Sequence, residues 1–270
     1  MGRDRDRELI MSVKLAFLGT GNCVSTRNNP SSFAISNGNE MALIDCGGGC
    51  YHQISRLGDE FFSHEKITDV LLTHFHPDHT TGLIDLIWGE MWDPVMPRKA
   101  PLTLTGPVGL TRFIRDCVIP MIGGHDIPFT LHYHELNHGD VFNGPFFSAH
   151  SYKLSHTAAS CGYCIEIGRS RLGITGDTGM CENLLQLISS SDSAIIEWSL
   201  SGSTITPYHL SDNDIARLIR IGDLPRKFYF THLYPVPGLT MTQLIERKKQ
   251  IVGENTGRFL FPRDLDVIEL

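Results

Sequence analysis

The sequence predicts an α+β protein in which β-sheets pack face to face and helices cover their outer faces. Three observations lead to this class. Short β-like runs recur along the 270 residues, helix-length amphipathic stretches lie between some of them, and no long linker or low-complexity segment divides the chain. Elements with one apolar face must bury it against another layer, and a chain of this length can bury a sizeable core. We therefore expect one compact domain over residues 12–270.

Twelve runs have the apolar and β-branched composition of strands. In chain order they are residues 13–19, 32–36, 41–45, 70–74, 102–106, 129–136, 146–154, 161–168, 171–177, 193–198, 227–232 and 264–270. Three later stretches have the amphipathic pattern of helices. They are residues 181–190, residues 211–222 with a Ser-Asp cap signal, and residues 240–253, which start at a Thr cap and end at Gly253.

Charge and hydropathy argue against several classes of function. No apolar run reaches the roughly 18 residues that a membrane-spanning helix needs. Residues 1–11 are a densely charged extension without the apolar centre of a signal peptide, and Met11 is an alternative start. The net charge is −7 and Lys and Arg are spread thinly, so no large basic surface is offered to nucleic acid. We expect a cytoplasmic protein with no membrane partner.

The stretch LLTHFHPDHTTGL holds three histidines and an aspartate within six residues. His74 and His76 lie two apart, so on an extended backbone their rings face the same way. Pro77 favours a turn or a helix start, which moves Asp78 and His79 to a neighbouring position. This spacing predicts two ligands for one metal ion and two for an adjacent ion. A loop of solvated histidines is the alternative, and we disfavour it because four ligand residues coincide.

Three further residues of ligand type occur where predicted strands end: His156, Asp177 and His232. Loops at strand ends can converge on one site. The carboxylate of Asp177 can bridge two cations because each of its oxygens can bind one. Imidazole and carboxylate together suit zinc best, and manganese or iron are the alternatives.

Taken together, these motifs resemble a known family. THFHPDHTTGL resembles the HxHxDH signature of the metallo-β-lactamase fold hydrolases. Other stretches resemble further parts of that family in the same order. Its opening strands and Gly loop are resembled by FLGTGNCVSTRNNPSSFAI and LIDCGGGCYHQI, and its later ligand motifs by SHTAASCGYCIE, GITGDTG and FTHLYP. The opening stretch, the stretch TGPVGL at residues 105–110 and the order of the motifs are together most similar to the branch of ribonuclease Z and cyclic phosphodiesterases. The resemblance implies a four-layer αβ/βα sandwich of two packed mixed β-sheets with the site at one edge.

Carried over residue by residue, the resemblance implies two divalent metal ions. The implied ligands are His74, His76 and His156 for the first ion, Asp78, His79 and His232 for the second, and Asp177 as the bridge. Asp78 is also counted among the catalytic residues. Such a centre makes a metal-bridged hydroxide available near neutral pH and neutralises charge on an attacked phosphodiester.

A leaving alkoxide benefits from a proton donor, and the chain offers one. Glu197 ends a predicted strand, and His209 follows at a distance resembling the Glu and His of the ribonuclease Z branch. There the histidine donates to the leaving group and the glutamate orients it. Alternatively, Glu197 caps a turn and His209 is a surface residue before a helix. Asp45 has two interpretations as well: it orients a ligand histidine, or it caps the glycine turn.

The sequence therefore predicts a dinuclear metal-dependent hydrolase, and first of all a phosphodiesterase for a small or cyclic phosphodiester. The alternatives are a ribonuclease Z-like tRNA 3′-end endonuclease and a hydrolase of a lactone, thioester or sulfate ester. A non-catalytic module is disfavoured because all seven ligands are present. Ribonuclease Z usually carries a long Gly- and basic-rich arm between the motifs that match His156 and Asp177, and only twenty residues separate them here. RNA is thus the less favoured partner, and a homodimer is left open.

Two segments are candidates for a substrate lid. Residues 87–101 hold Trp88, Trp92 and two methionines, which can stack on a base or cover an apolar group. The second segment is residues 120–129, in which Gly123 and Gly124 could act as hinges. Packing between a helix and a loop is the alternative for both.

Overall fold

The structure is a computed structural model that describes residues 12–25, 27–204, 206–221, 224–253 and 257–270. The predicted charged extension, with Met11, lies outside the described residues. The strands are β1 (Lys14–Gly19), β2 (Ser32–Ser36), β3 (Met41–Ile44), β4 (Ile67–Leu71), β5 (Leu102–Pro107), β6 (Leu131–Leu136), β7 (Val141–Asn143), β8 (Ser148–Lys153), β9 (Cys161–Ile167), β10 (Ser170–Ile174), β11 (Ser193–Glu197), β12 (Lys227–Thr231), β13 (Phe259–Leu260) and β14 (Val267–Glu269).

The helices lie mostly between parallel strands. They are α1 (Cys50–Leu57), α2 (Pro77–Thr80), α3 (Gly82–Trp92), α4 (Leu110–Phe113), α5 (Ile119–Met121), α6 (Glu182–Ser189), α7 (Asp212–Ile221) and α8 (Met241–Val252). A 3₁₀ turn at His64–Lys66 and a π-helical turn at Ile114–Val118 complete the set. No helix in the described ranges is both long enough and apolar enough to cross a bilayer.

The strands form two sheets of seven, in the orders β14-β1-β2-β3-β4-β5-β6 and β13-β12-β11-β10-β9-β8-β7. Both sheets are mixed. Strands β14 to β3 of the first sheet pair antiparallel and β3 to β6 run parallel. In the second sheet β7 to β10 pair antiparallel and β10 to β13 run parallel. Parallel neighbours end at the same edge of a sheet, and the loops that leave this edge carry the candidate ligands.

Alternate residues of each strand face different layers. In β1, Leu15 and Phe17 pack between the two sheets, whereas Ala16 and Leu18 pack under α1, α3 and α4. The second sheet meets α6, α7 and α8 in a further apolar cluster on its other face. The layers are therefore helices, sheet, sheet and helices, which confirms the predicted α+β four-layer sandwich.

Most predicted elements are present, with two instructive differences. The predicted strand 70–74 ends at Leu71, because the backbone N–H of Thr73 donates to the Asp45 side chain at 2.7 Å instead of continuing the ladder. His74 therefore lies on a loop. The short edge strand β7 was not predicted, since three residues are too few to show the alternation that marks a strand. Helix α8 begins as predicted, at a capping box between Thr240 and Gln243.

Candidate metal centre

The candidate ligands come from loops that follow strands in both sheets. His74 and His76 follow β4, and α2 starts at Pro77 directly after them. Asp78 and His79 lie in this first helical turn, on a different side from His74 and His76. The later ligands follow β8, β10 and β12, and His232 comes immediately after β12 with a positive φ of 61°. The loops meet at one edge of the sandwich.

The structure brings all seven side chains together in two groups around Asp177. We call His74, His76 and His156 the first ligand group, and Asp78, His79 and His232 the second ligand group. Within each group the ligand atoms lie within 4.8 Å of one another, and Asp177 joins the first group by this criterion.

The carboxylate of Asp177 faces both groups. Its Oδ2 lies 3.8 Å from His74 Nε2 and 3.7 Å from His156 Nε2. Its Oδ1 lies 3.3 Å from the Nε2 atoms of His79 and His232. One oxygen is thus directed to each group, which is the arrangement that a bridging carboxylate requires.

Three buried polar atoms in this cluster indicate that the residues fit a pair of cations. His74 Nε2, His79 Nε2 and Asp177 Oδ1 have no partner in hydrogen-bonding geometry among the described residues, although the last two lie 3.3 Å apart. A buried polar group without a partner costs roughly 1–3 kcal/mol, so such atoms are rare in proteins. Cations held between these ligands would satisfy all three lone pairs.

The protonation states of His74 and Asp177 suit metal binding, which needs neutral imidazole and ionised carboxylate. Burial holds the pKa of His74 well below its ordinary value. Burial alone would raise the pKa of Asp177, but the neighbouring His232 and His79 outweigh it and hold that pKa well below its usual range. The imidazole of His74 is therefore neutral and the carboxylate of Asp177 ionised at neutral pH. His79 differs: burial alone would lower its pKa, but Asp177 and Asp45 outweigh burial and hold that pKa well above its ordinary value, so a cation would have to displace a proton from this ring.

Each member of the second ligand group has a further partner in the protein. His79 Nδ1 donates to Asp45 Oδ2 at 2.7 Å, which confirms that Asp45 orients this histidine. His232 Nδ1 lies 2.9 Å from Ser199 Oγ, and the backbone N–H of Cys23 donates to Asp78 Oδ2 at 3.1 Å. All three members of the group are buried.

The first ligand group is more open. His76 is exposed, and its Nδ1 lies 2.9 Å from Nε2 of His156. His156 Nδ1 donates to the carbonyl oxygen of Tyr208 at 2.8 Å. His74 is the one buried histidine of the three, with Nδ1 3.1 Å from Thr73 Oγ1.

Glu197 and His209 are in contact beside Asp177. His209 Nδ1 donates to Glu197 Oε1 at 2.9 Å and lies 3.9 Å from Asp177 Oδ2. Glu197 is buried, and it also accepts the backbone N–H of Thr178 and of Ser199. Glu197 therefore contacts the turn as well as His209, and its catalytic role stays a prediction. The side chain of His209 is 18% exposed, so it is not simply a surface residue.

Charge around His209 favours its protonated form. Burial alone would lower the pKa of His209, but the hydrogen bond with Glu197 and the charges of Glu197 and Asp177 outweigh it and raise that pKa. The loop that carries His209 is anchored at Asp212, which accepts from Trp198 Nε1 at 2.8 Å and from Lys248 Nζ at 3.1 Å. The position of the His209 loop is therefore fixed by contacts with residues outside that loop.

Sequence reasoning missed two residues at this centre. Ser199 contacts both Glu197 and His232, and its one sequence signal is a hydroxyl two residues after Glu197. The ring of Tyr234 lies 5.7 Å from that of His209 and 5.8 Å from that of His232, between ring centroids. Tyr234 was part of a recognised motif, but nothing in its spacing pointed to these contacts.

The two candidate lid segments touch each other at the surface. Trp88 and Trp92 are 42% and 57% exposed, with ring centroids 5.8 Å apart. The ring of His125, which follows Gly124, lies 5.5 Å from Trp88 and 6.1 Å from Trp92. The two indoles are thus outside the buried core, and their role as a lid stays a prediction.

Two mixed seven-stranded sheets between helices, with a histidine and aspartate cluster at one edge, define a metallo-β-lactamase fold protein. The comparisons with known proteins narrow this class. The family model of the anti-Pycsar protein Apyc1 matches residues 13–218, and the chain belongs to this family. The matched part contains every candidate ligand except His232.

Curated proteins and solved structures also share sequence or fold with this chain. A ribonuclease Z of Methanosarcina acetivorans is 32% identical over 154 residues, or 57% of this chain and 48% of that protein. The chain thus spans about half the length of the curated relatives it matches. The metallo-β-lactamase fold protein YhfI of Bacillus subtilis superimposes with a TM-score of 0.76 at 16% identity, over 96% of this chain and 99% of that one. The short form of human tRNase Z gives 0.71 at 20% identity, over 94% and 98%. At these identities the two structures show the fold alone.

Proposed function

We propose that this protein is a metal-dependent hydrolase with two metal ions, and that it hydrolyses a small or cyclic phosphodiester. The observation that carries the proposal is the position of Asp177, whose two oxygens face the two ligand groups while His209 lies beside it. A centre for two cations next to a proton donor matches the needs of phosphodiester hydrolysis, in which charge develops both on the phosphate and on the leaving oxygen.

The candidate ligands would hold one cation in each group, with Asp177 between them. Two divalent cations bound there would supply hydroxide near neutral pH and neutralise the phosphate oxygens. Zinc is the expected metal, since histidines dominate the donor set, and manganese or iron are the alternatives.

His209 would act as the proton donor to the leaving group. Its Nδ1 is occupied by Glu197, so Nε2 is the nitrogen that can give a proton to the leaving oxygen. Glu197 would fix the ring orientation and stabilise the imidazolium. A raised pKa of His209 supports this role because the donor must carry a proton at the working pH.

Three features bear on substrate size. Strands β9 and β10, which fill the stretch between His156 and Asp177, are joined by two residues, so the arm expected for ribonuclease Z has no place there. The net charge of −7 disfavours phosphate contacts along an RNA. The 32% identity to a ribonuclease Z favours phosphodiester chemistry, and it keeps a tRNA 3′-end endonuclease as the second candidate.

The test is metal analysis followed by a substrate panel. We expect about two zinc-type ions per chain, and turnover of bis-p-nitrophenyl phosphate and of a cyclic nucleotide at about 150 mM salt. A pre-tRNA with a 3′ trailer and a simple lactone serve as the competing substrates. Protein stripped of metal and reloaded with zinc is the matched control.

The panel separates the candidates. Position-specific cleavage of the pre-tRNA with no turnover of small diesters would replace our proposal with the endonuclease. Preference for the lactone would assign the centre to carboxylic ester chemistry. Full activity after exhaustive chelation would contradict any metal-dependent reaction.

A further inference from the structure

A chain of hydrogen bonds connects the second ligand group to the candidate proton donor. His232 Nδ1 lies 2.9 Å from Ser199 Oγ. Ser199 Oγ contacts Glu197 Oε2 in a short hydrogen bond, and Glu197 Oε1 accepts from His209 Nδ1 at 2.9 Å. Ser199 is the link between a candidate metal ligand and the proton-donor pair.

The direction of these bonds follows from the groups involved. An ionised carboxylate can only accept, so the single hydroxyl proton of Ser199 is given to Glu197. Ser199 Oγ must then accept from His232, which places a proton on Nδ1 of that ring. His232 Nε2 faces Asp78 Oδ2 at 3.2 Å, within hydrogen-bonding distance, and Asp177 Oδ1 at 3.3 Å. A cation bound between these atoms would take the lone pair of Nε2 in place of a proton.

Burial makes this link hard to replace by water. Ser199 is 0% exposed, and Glu197 and His232 are each 2% exposed. The backbone N–H of Ser199 also donates to Glu197 Oε2 at 3.0 Å, so the serine and the carboxylate are held together at two points. Loss of the hydroxyl would leave a buried imidazole N–H and a buried carboxylate oxygen each short of one partner.

We propose that Ser199 is a positioning residue that couples occupancy of the second ligand group to the orientation of His209. The proposal rests on the function proposed above. A cation at His232 Nε2 would hold that ring in the Nδ1–H form, and this proton would direct the Ser199 hydroxyl onto Glu197. The Glu197 carboxylate is thereby oriented to accept the hydrogen bond from His209 Nδ1. The proton donor is set in place when the metal ligands are engaged.

The experiment compares four variants: Ser199→Ala, Ser199→Thr, His209→Ala and the double variant of Ser199→Ala with His209→Ala. Ser211→Ala is the matched control. Ser211 is also 0% exposed and lies near the same loop, but its hydroxyl donates to Asp214 at the start of α7. Each protein is loaded with zinc, and its metal content and thermal midpoint are recorded first.

The first readout is independent of activity. Histidine ring N–H signals are followed by NMR. The signal of His209 is assigned by its loss in His209→Ala, and that of His232 by its loss in His232→Ala, an additional variant made for assignment alone. In zinc-loaded wild type we expect both Nδ1–H signals to be protected from solvent exchange. Ser199→Ala should make both exchange-broadened, Ser199→Thr should restore both, and Ser211→Ala should leave both unchanged.

The second readout is the dependence of rate on the leaving group. We expect Ser199→Ala to lose about 10- to 100-fold on a diester with an alkyl leaving group, the range for partners of metal ligands, and less with p-nitrophenolate. On the alkyl diester the double variant should be no slower than His209→Ala alone, because both changes remove the same contribution.

Two results would overturn the coupling. One is a change confined to the His232 signal in Ser199→Ala, and the other is full additivity of the two substitutions. If wild type turns over no diester, the proposed function fails, while the NMR readout still decides whether Ser199 links the two rings.

Discussion

The two ligand groups differ in how much of the protein supports them. In the second ligand group all three residues are buried and each has a partner outside the group, as His79 has in Asp45. In the first ligand group His74 and His156 also have partners outside the group, Thr73 and Tyr208, but His76 is exposed and contacts another candidate ligand, His156. Partners that orient ligands raise metal affinity and fix the tautomer. We infer that the second group is organised in advance of metal binding, whereas the first is completed by it.

Asp177 is shared by both groups, so its loss should have the largest effect. We expect Asp177→Ala to lose both ions and to reduce hydrolysis of bis-p-nitrophenyl phosphate to the rate of the uncatalysed reaction. Metal analysis and turnover on the same samples are the measurements. A variant that keeps one tightly bound ion would show that one group binds its ion without the bridging carboxylate. The second ligand group is then the expected site of that ion.

His209 lies next to Asp177 and His232, and these three also form a possible ligand set. We expect His209→Ala to keep both ions but to lose roughly 10²–10⁴ in rate with a poor leaving group, because the proton donor is gone. The loss with p-nitrophenolate should be much smaller, since that group leaves unaided. Release of an ion from His209→Ala would instead make His209 a ligand, and the second group would have to be redrawn.

Asp45 should affect the second group alone. Its φ of 55° suits asparagine, so Asp45→Asn keeps the backbone while the amide can no longer accept from both Thr73 and His79. We expect zinc affinity at one of two sites to fall about 10- to 100-fold, as measured by competition with a chromophoric chelator. Asp69→Asn, at another buried aspartate that belongs to neither group, is the control. Equal weakening of zinc binding at both sites would contradict the inference that Asp45 supports the second ligand group alone.

The smallest expected effect concerns the order of metal release. Because His76 of the first group is exposed to solvent, a chelator should remove the ion of that group first and the ion of the second group in a slower phase. Activity should disappear with the fast phase. In Asp45→Asn the slow phase should become faster while the fast phase stays the same. Release of both ions in a single phase from wild type would remove the distinction between the groups.

The sequence by itself determined the features that depend on local spacing. His74, His76, Asp78 and His79 could be recognised because the turn at Pro77 acts within a few residues. Helix α8 could be placed because Thr240 and Gln243 form their cap within one turn. The alternation of apolar residues along strands such as β1 similarly indicated two faces to bury, and hence layered sheets.

Only the tertiary structure decided which of these residues meet and what supports them. His232 lies 154 residues from Asp78, and Asp45 lies 34 residues from His79, so their contacts exist only once the strands have paired and packed. The link through Ser199 depends on the register between β11 and β12, which places Glu197 opposite Thr231, the residue before His232. A serine has no periodicity that marks such a role, because its hydrogen bonds are set by neighbours that are distant in the chain.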